Sequence, residues 1–261
     1  MIYIIFISFT LLVLVFAFYH WQFYMVFTPT YNRKKNICEA CSFLTINTDD
    51  GVALEGVLYE PKNPKTTLLF FAGRSHDVVG LVNMLSVTYS KSRVIAFNYR
   101  SYGKSQGKLS EKNILDDGIK IAQLVQKNYG DFFLLGYSLG SNIAAYVASK
   151  ERVKALFLIG AFDSIASLAK SKFVDKSFLP NLNLSKIFRY KFATGKYVEN
   201  VDAKTYLFVS RDDEVTYIQN ARVLQQRVKN LVGYMELEDL SHKEILWDEG
   251  VTDTINRILN D

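Results

Sequence analysis

Phe132-Phe133-Leu134-Leu135-Gly136-Tyr137-Ser138-Leu139-Gly140 is the stretch whose reading decides the fold. Four apolar residues in a row leave no polar face, which suits a strand covered on both sides of a sheet. Gly136 and Gly140 bracket Ser138 in a G-x-S-x-G pattern, and Ser138 to Ser149 continues as a helix. A tight strand-to-helix turn exposes the serine hydroxyl, and the glycines leave room for strained backbone and close helix packing. The motif alone is weak, because ordinary glycine and serine frequencies produce it in about one chain of this size in ten. Its surroundings carry the reading.

Outward from this point, short continuous apolar runs alternate with longer amphipathic ones. The runs are Thr67 to Phe71, Val94 to Phe97, Phe132 to Leu135, Ala155 to Ile159, Tyr206 to Val209 and Val232 to Leu237. Such an alternation predicts an α/β fold, a mostly parallel central sheet with helices on both faces. Ser42 to Thr48 and Val52 to Tyr59 flank the turn signal Asp49-Asp50-Gly51, so an antiparallel hairpin precedes the parallel part. Helices are expected after Ser110, which can cap the stripe Ile114, Gly118, Ile121, Ala122 and Val125, over Ile218 to Val228, and over Ile245 to Leu259. The long stretch 162–203 holds a helical piece from Ser164 to Phe173 and a Pro180-Asn181-Leu182-Asn183 break, and it reads as a small lid over the carboxyl edge of the sheet.

Two more residues complete a constellation with Ser138. His242 follows the last predicted strand, and Asp213 follows the one before it, in Arg211-Asp212-Asp213-Glu214-Val215. A serine becomes a nucleophile when a base takes its proton. An imidazole, with an ordinary pKa of about 6.5, suits that task near neutral pH. Among three adjacent acids, Asp213 is preferred because Val215 can anchor the turn in the core; Asp212 is the alternative, and an exposed acidic turn accounts for the other two. Acyl transfer also needs donors for a tetrahedral oxyanion. The backbone N–H of Leu139 supplies one, and the loop Ala72-Gly73-Arg74-Ser75-His76 supplies the second, at the N–H of Arg74.

From Thr45 onward the chain resembles the α/β-hydrolase superfamily, specifically its membrane-anchored serine hydrolases of the BEM/ABHD type. Beyond Gly136-Tyr137-Ser138-Leu139-Gly140, the resemblance rests on Asn98-Tyr99-Arg100-Ser101-Tyr102-Gly103-Lys104-Ser105-Gln106-Gly107, on Arg211 to Val215, and on Leu240-Ser241-His242. It implies Ser138, Asp213 and His242 as nucleophile, orienting acid and base. Three departures stand out: Ala72-Gly73-Arg74 where the family has His-Gly-Asn, Ser101 for a glycine, and Thr216 for a proline. These alter the pocket without removing a catalytic group, and His76 with Arg74 is expected to face a polar leaving group.

Residues 1–28 read as a membrane anchor. A cleaved signal peptide is the competing reading, but no basic n-region precedes the apolar run and no convincing small-residue cleavage site follows it. A buried core helix fits less well, because the run is apolar on every face. Met1 to Asn32 holds no Asp, Glu, Lys or Arg, and the rings of Tyr19, Trp21, Phe23 and Tyr24 suit a membrane–water boundary. Residues 29–41 form a linker and 42–261 the catalytic domain. Arg33, Lys34 and Lys35 place that domain on the cytoplasmic side by the positive-inside rule. The chain's two cysteines, Cys38 and Cys41, are expected to be free thiols, since three scattered histidines complete no zinc site. The net charge of +5 is spread along 261 residues with no basic stripe, which argues against nucleic acid as a partner. No cofactor or metal is expected. The expected activity is cleavage of acyl esters or thioesters through an acyl-enzyme beside a lipid bilayer. A peptidase or amidase, or a silent membrane-tethered binding protein, are the alternatives.

Overall fold

The computed structural model describes residues 2–31, 36–174 and 184–261. The expected hairpin is β1 (Cys41–Asn47) and β2 (Ala53–Tyr59), paired antiparallel from Cys41 opposite Tyr59 to Asn47 opposite Ala53. All six apolar runs are strands: β3 (Thr66–Phe71), β4 (Ser92–Phe97), β5 (Phe133–Tyr137), β6 (Ala155–Ile159), β7 (Lys204–Ser210) and β8 (Leu231–Leu237). They form one sheet in the order β1-β2-β4-β3-β5-β6-β7-β8, parallel from β4 to β8.

Successive strand residues face opposite sides, so a strand buried on both must be apolar throughout. Leu69, Phe71, Ile95, Leu134, Leu156 and Leu207 enter one core, and Leu68, Phe70, Val94, Leu135, Phe157 and Phe208 the other. The helices are α1 (Ile2–Val26), α2 (Val78–Thr88), α3 (Glu111–Tyr129), α4 (Leu139–Ala148), α5 (Ile165–Ala169), α6 (Leu184–Ile187), α7 (Thr194–Val198), α8 (Ile218–Gln225) and α9 (Glu249–Asn260). Helices α3, α4 and α8 cover the first core, and α2 and α9 the second. Ser110 caps α3 as expected, its hydroxyl accepting from Asn113 N at 3.1 Å. The last helix starts later than its periodicity implies: Ile245–Trp247 is a separate 3₁₀ turn, and Asp248 caps α9 by accepting from Val251 N at 3.0 Å. The stretch 162–203 contributes α5, α6 and α7, with a wide π-type turn at Lys170–Val174; the Pro180–Asn183 break lies outside the described residues.

Strand β3 lies between β4 and β5, so the chain leaves β3 to one side and returns on the other. Loops following two such strands diverge and open a crevice at the carboxyl edge, where ligands of doubly wound sheets bind. The loop after β3 holds Gly73 and Arg74, and the turn after β5 holds Ser138.

At the front, residues 2–17 of α1 are exposed along their whole length, as an apolar helix outside the protein core must be, whereas Gln22 and Val26 are buried against the domain. Phe27, just beyond, is 1% exposed in the same core as β3 and α4. One expectation fails here. Cys38 and Cys41 are joined as a disulfide rather than free, closing a turn in which Cys41 N donates to Cys38 O at 2.9 Å. Three-residue spacing lets a tight turn bring the two sulfurs together. The basic triplet Arg33, Lys34 and Lys35 lies outside the described residues.

Candidate active site

Ser138 stands at the junction of β5 and α4 with φ +54°, a left-handed conformation costly for any residue with a Cβ. The flanking glycines make this turn possible. A Cβ on Gly140 would collide with the carbonyl of Phe71, and one on Gly136 would strike the backbone of Gly140 and Ser141. Ser138 occupies the capping position of α4, yet its hydroxyl bonds to no amide of that helix. The oxygen is free for another partner, and it lies 2.9 Å from His242 Nε2.

The other ring nitrogen, His242 Nδ1, is 2.7 Å from Asp213 Oδ2. Three side chains from three loops are thus brought into one relay, all of them buried. Burial pushes the Asp213 carboxyl up, but hydrogen bonds from His242 and Thr216 outweigh it and leave the group below its ordinary value. An ionised carboxylate only accepts, so Nδ1 carries the ring proton and Nε2 presents its lone pair to the Ser138 hydroxyl.

Asp213 is the acid that reaches the imidazole, though not by the route anticipated. Val215 is 36% exposed and anchors nothing in the core. The turn is fixed by the carboxylate itself: Asp213 Oδ1 accepts from Val215 N at 2.8 Å and Thr216 N at 2.7 Å. Thr216 Oγ1 adds a bond of 2.6 Å to Oδ2, a donor that proline would lack. The neighbouring acids also do more than solvate a turn. Asp212 Oδ2 accepts from Asp239 N at 2.8 Å, and Glu214 Oε2 accepts from His242 N at 3.0 Å, so both hold the histidine loop by its backbone. Tyr137 OH donates to His242 O at 2.8 Å, and its ring stacks on the imidazole at 5.2 Å. Beneath the imidazole, Gly160 has φ +55°, and a Cβ there would approach His242 Cε1 to 3.1 Å. Sequence reasoning passed over Tyr137, Gly160 and Glu214; Tyr137 alone carried a signal, as the residue inside the motif.

Arg74 and Leu139, the expected oxyanion donors, line the same pocket as Ser138. The block around Asn98 explains why the Arg74 loop holds its shape. Tyr99 OH donates to Ala72 O at 2.6 Å, and Tyr102 OH donates to Arg74 O. Asn98 Oδ1 accepts from Val78 N at 2.9 Å, tying down the start of α2 that closes the loop. Arg74 also reaches the other way, its guanidinium donating to Met25 O at the end of α1. His76 does not join it at the pocket. Its ring meets Tyr137 edge-on at 5.6 Å, and burial holds its imidazole below the ordinary value.

Met25, Val26, Ile165, Leu168, Phe188 and Val215 supply the apolar lining around Ser138. A separate, polar hollow holds no member of the relay, and within it Arg100 pairs with Asp50 and Asp117, and Lys120 with Asp49.

Comparisons with known proteins agree with this architecture. The family model described as alpha/beta hydrolase fold matches residues 71–185. An uncharacterized protein of Acanthamoeba polyphaga mimivirus is 25% identical over 206 residues, 72% of this chain and 69% of that protein. An uncharacterized membrane protein of Saccharomyces cerevisiae is 30% identical over 115 residues, 42% of this chain and 40% of that one. Among solved structures, the Pyrococcus furiosus esterase Pf2001 superposes with a TM-score of 0.67 at 17% identity, covering 90% of this chain and 96% of that one. An alpha-beta hydrolase from Vibrio vulnificus does so with a TM-score of 0.66 at 18% identity, over 85% and 86% of the two chains. The chain has the α/β-hydrolase fold.

Proposed function

We propose that the protein is a membrane-anchored serine hydrolase of acyl esters or thioesters. Ser138 Oγ attacks the acyl carbon while its proton passes to His242 Nε2. The imidazolium, held by Asp213, returns that proton to the departing alkoxide or thiolate, and the acyl-enzyme remains. Water then attacks the acyl-enzyme, giving its proton to His242, which reprotonates Ser138 as the acid leaves. The N–H groups of Leu139 and Arg74 stabilise the oxyanion in both steps, and α4 adds its positive end. No metal or cofactor takes part in this scheme.

The observation that carries the reading is the continuous Ser138–His242–Asp213 relay at 2.9 Å and 2.7 Å. Two further observations support it: the apolar pocket around Ser138, and the esterase fold neighbours. The exposed apolar helix α1 supports the anchor, as does the membrane protein among the relatives. Membranes carrying the wild-type chain should react with a fluorophosphonate probe and cleave p-nitrophenyl esters, and Ser138→Ala should abolish both. Labelling that persists in that variant would rule out Ser138 as nucleophile, and cleavage of amide but not ester panels would replace the esterase reading with an amidase.

Two signals bear on orientation, and they oppose each other. Arg33, Lys34 and Lys35 favour a cytoplasmic domain, whereas a Cys38–Cys41 disulfide persists in oxidising compartments. We propose the cytoplasmic orientation, with the pair reduced there. Maleimide tagging of unreduced, permeabilised cells should then modify both cysteines; protection until a reductant is added would reverse the topology.

A further inference from the structure

One stripe of α1 runs from its exposed apolar part to the pocket. Phe18 packs on Phe188 with ring centroids 6.1 Å apart, Gln22 Oε1 accepts from Arg189 N at 2.6 Å, and Val26 is buried in the core. These positions, four residues apart, lie on one helix face. Gln22 is a polar residue of a largely apolar helix and, unlike Ser8, Thr10 and His20, which are exposed, it is only 2% exposed. Its cost there is offset by that backbone bond, which ties the stretch after β6 to the helix.

The position of the pocket relative to a bilayer follows from helix geometry. Residues 2–17 are exposed and rise about 24 Å at about 1.5 Å per residue. The amphipathic rings of Tyr19 and Trp21 follow that exposed stretch and suit a membrane–water boundary, which places the boundary near Trp21. Gln22, Met25 and Val26, all part of the pocket lining with Ser138, begin within one turn of that boundary. The rest of the lining is mostly apolar, with Phe162, Ile165, Leu168 and Phe188 beside the charged Arg74 and Lys172. A polar, water-borne substrate gains nothing from such walls, whereas an acyl chain does.

Resting on the serine-hydrolase reading, we infer that the last turn of α1 is one wall of the acyl-chain subsite. The substrate is a membrane-resident ester or thioester whose chain lies against Gln22, Met25 and Val26 on its way from the bilayer to Ser138. The anchor is then part of the substrate site, and Met25 is a specificity-determining residue.

The test uses the full-length protein in phosphatidylcholine vesicles and a hexadecyl fluorophosphonate carrying a diazirine in the middle of its chain. Ser138 displaces fluoride and fixes the phosphorus, and irradiation then marks what the chain touches. Mass spectrometry should find photo-adducts on the peptide containing Gln22 to Val26 and on that containing Ile165 to Leu168. Adducts confined to other segments would overturn the assignment. A second measurement compares labelling rates for hexadecyl and ethyl fluorophosphonates. Met25→Trp should lower the long-to-short rate ratio by about tenfold, since a blocked apolar subsite discriminates by chain length. Equal slowing of both probes would mean a merely structural role and overturn the inference. If neither probe labels Ser138 in the wild type, the hydrolase reading itself fails and takes this inference with it, an outcome distinct from labelling with misplaced adducts.

Discussion

Replacing Thr216 by valine removes one hydroxyl and keeps the shape of the side chain. That hydroxyl donates at 2.6 Å to Asp213 Oδ2, the same oxygen that faces the imidazole. Asp213 would keep three donors, Val215 N, Thr216 N and His242 Nδ1. A hydrogen bond to a charged, buried group contributes about 1.5–3 kcal/mol. A loss of about 2 kcal/mol in a domain of this size lowers Tm by about 4–8 °C. If half or more of that loss falls on imidazole orientation, kcat/KM drops about five- to thirtyfold. The pH dependence has a definite sign. The Asp213 carboxyl sits below its ordinary value, so it adds stability above the unfolded value of about 4, lost as pH falls through the lower folded value. Valine moves the folded value back up, so the deficit of the variant is complete at neutral pH and shrinks below about pH 4. Thermal unfolding of detergent-solubilised protein across pH, with ester hydrolysis beside it, measures both effects. A Tm within about 1 °C of wild type at pH 7 together with unchanged kcat/KM would refute the reasoning, and Thr216→Ser should restore both.

Arg100 grips Asp117 through Nε and Nη2 at 2.8 and 2.7 Å, with both side chains nearly buried. Arg100→Met leaves that carboxylate unpaired and should cost about 3–5 kcal/mol in urea unfolding, whereas adding Asp117→Leu should recover much of it; an additive double loss would contradict this. Ser101 holds φ +65°, and its hydroxyl donates to Gly107 O at 2.9 Å in an exposed setting. Ser101→Gly should relieve about 1 kcal/mol of backbone strain, outweigh the lost bond and raise Tm slightly; a lower Tm would show the hydroxyl matters more. Asp213→Asn should reduce kcat by about four orders of magnitude through the wrong imidazole tautomer. Asp212→Asn, touching only the backbone of Asp239, should reduce it by less than about tenfold, and comparable losses in the two would disqualify Asp213 as the orienting acid.

The sheet was legible because strands buried on both faces must be written as unbroken apolar runs, and Thr67 to Phe71 or Ala155 to Ile159 cannot be hidden. The relay was legible for a related reason: each member follows such a run, so locating the strands located the carboxyl edge. What sequence could not convey was contact between loops. The argument for Asp213 from Val215 does not hold, since the turn is organised by the Asp213 carboxylate itself. Tyr99 and Tyr102 looked like family markers, and only their hydroxyls on the carbonyls of Ala72 and Arg74 reveal what they hold. Ile245 fitted the helical period of α9, but the Asp248 cap decided where that helix begins. Hydropathy also cannot tell lipid from protein interior. By hydropathy Val26 and Phe27 continue the span, yet both pack in the core of the domain.

The bond from the Arg74 guanidinium to the Met25 carbonyl bears on how this protein can be handled. Cutting the chain near residue 28 to obtain a water-soluble version would strip a hydrogen-bond partner from the loop beside Ser138 and take away the rings that pack on Phe188, Tyr190 and Phe192. Silence from such a fragment would therefore report collateral damage rather than missing chemistry. A fair soluble form keeps residues 18–27 and recasts only the outward apolar surface of 2–17 with polar side chains.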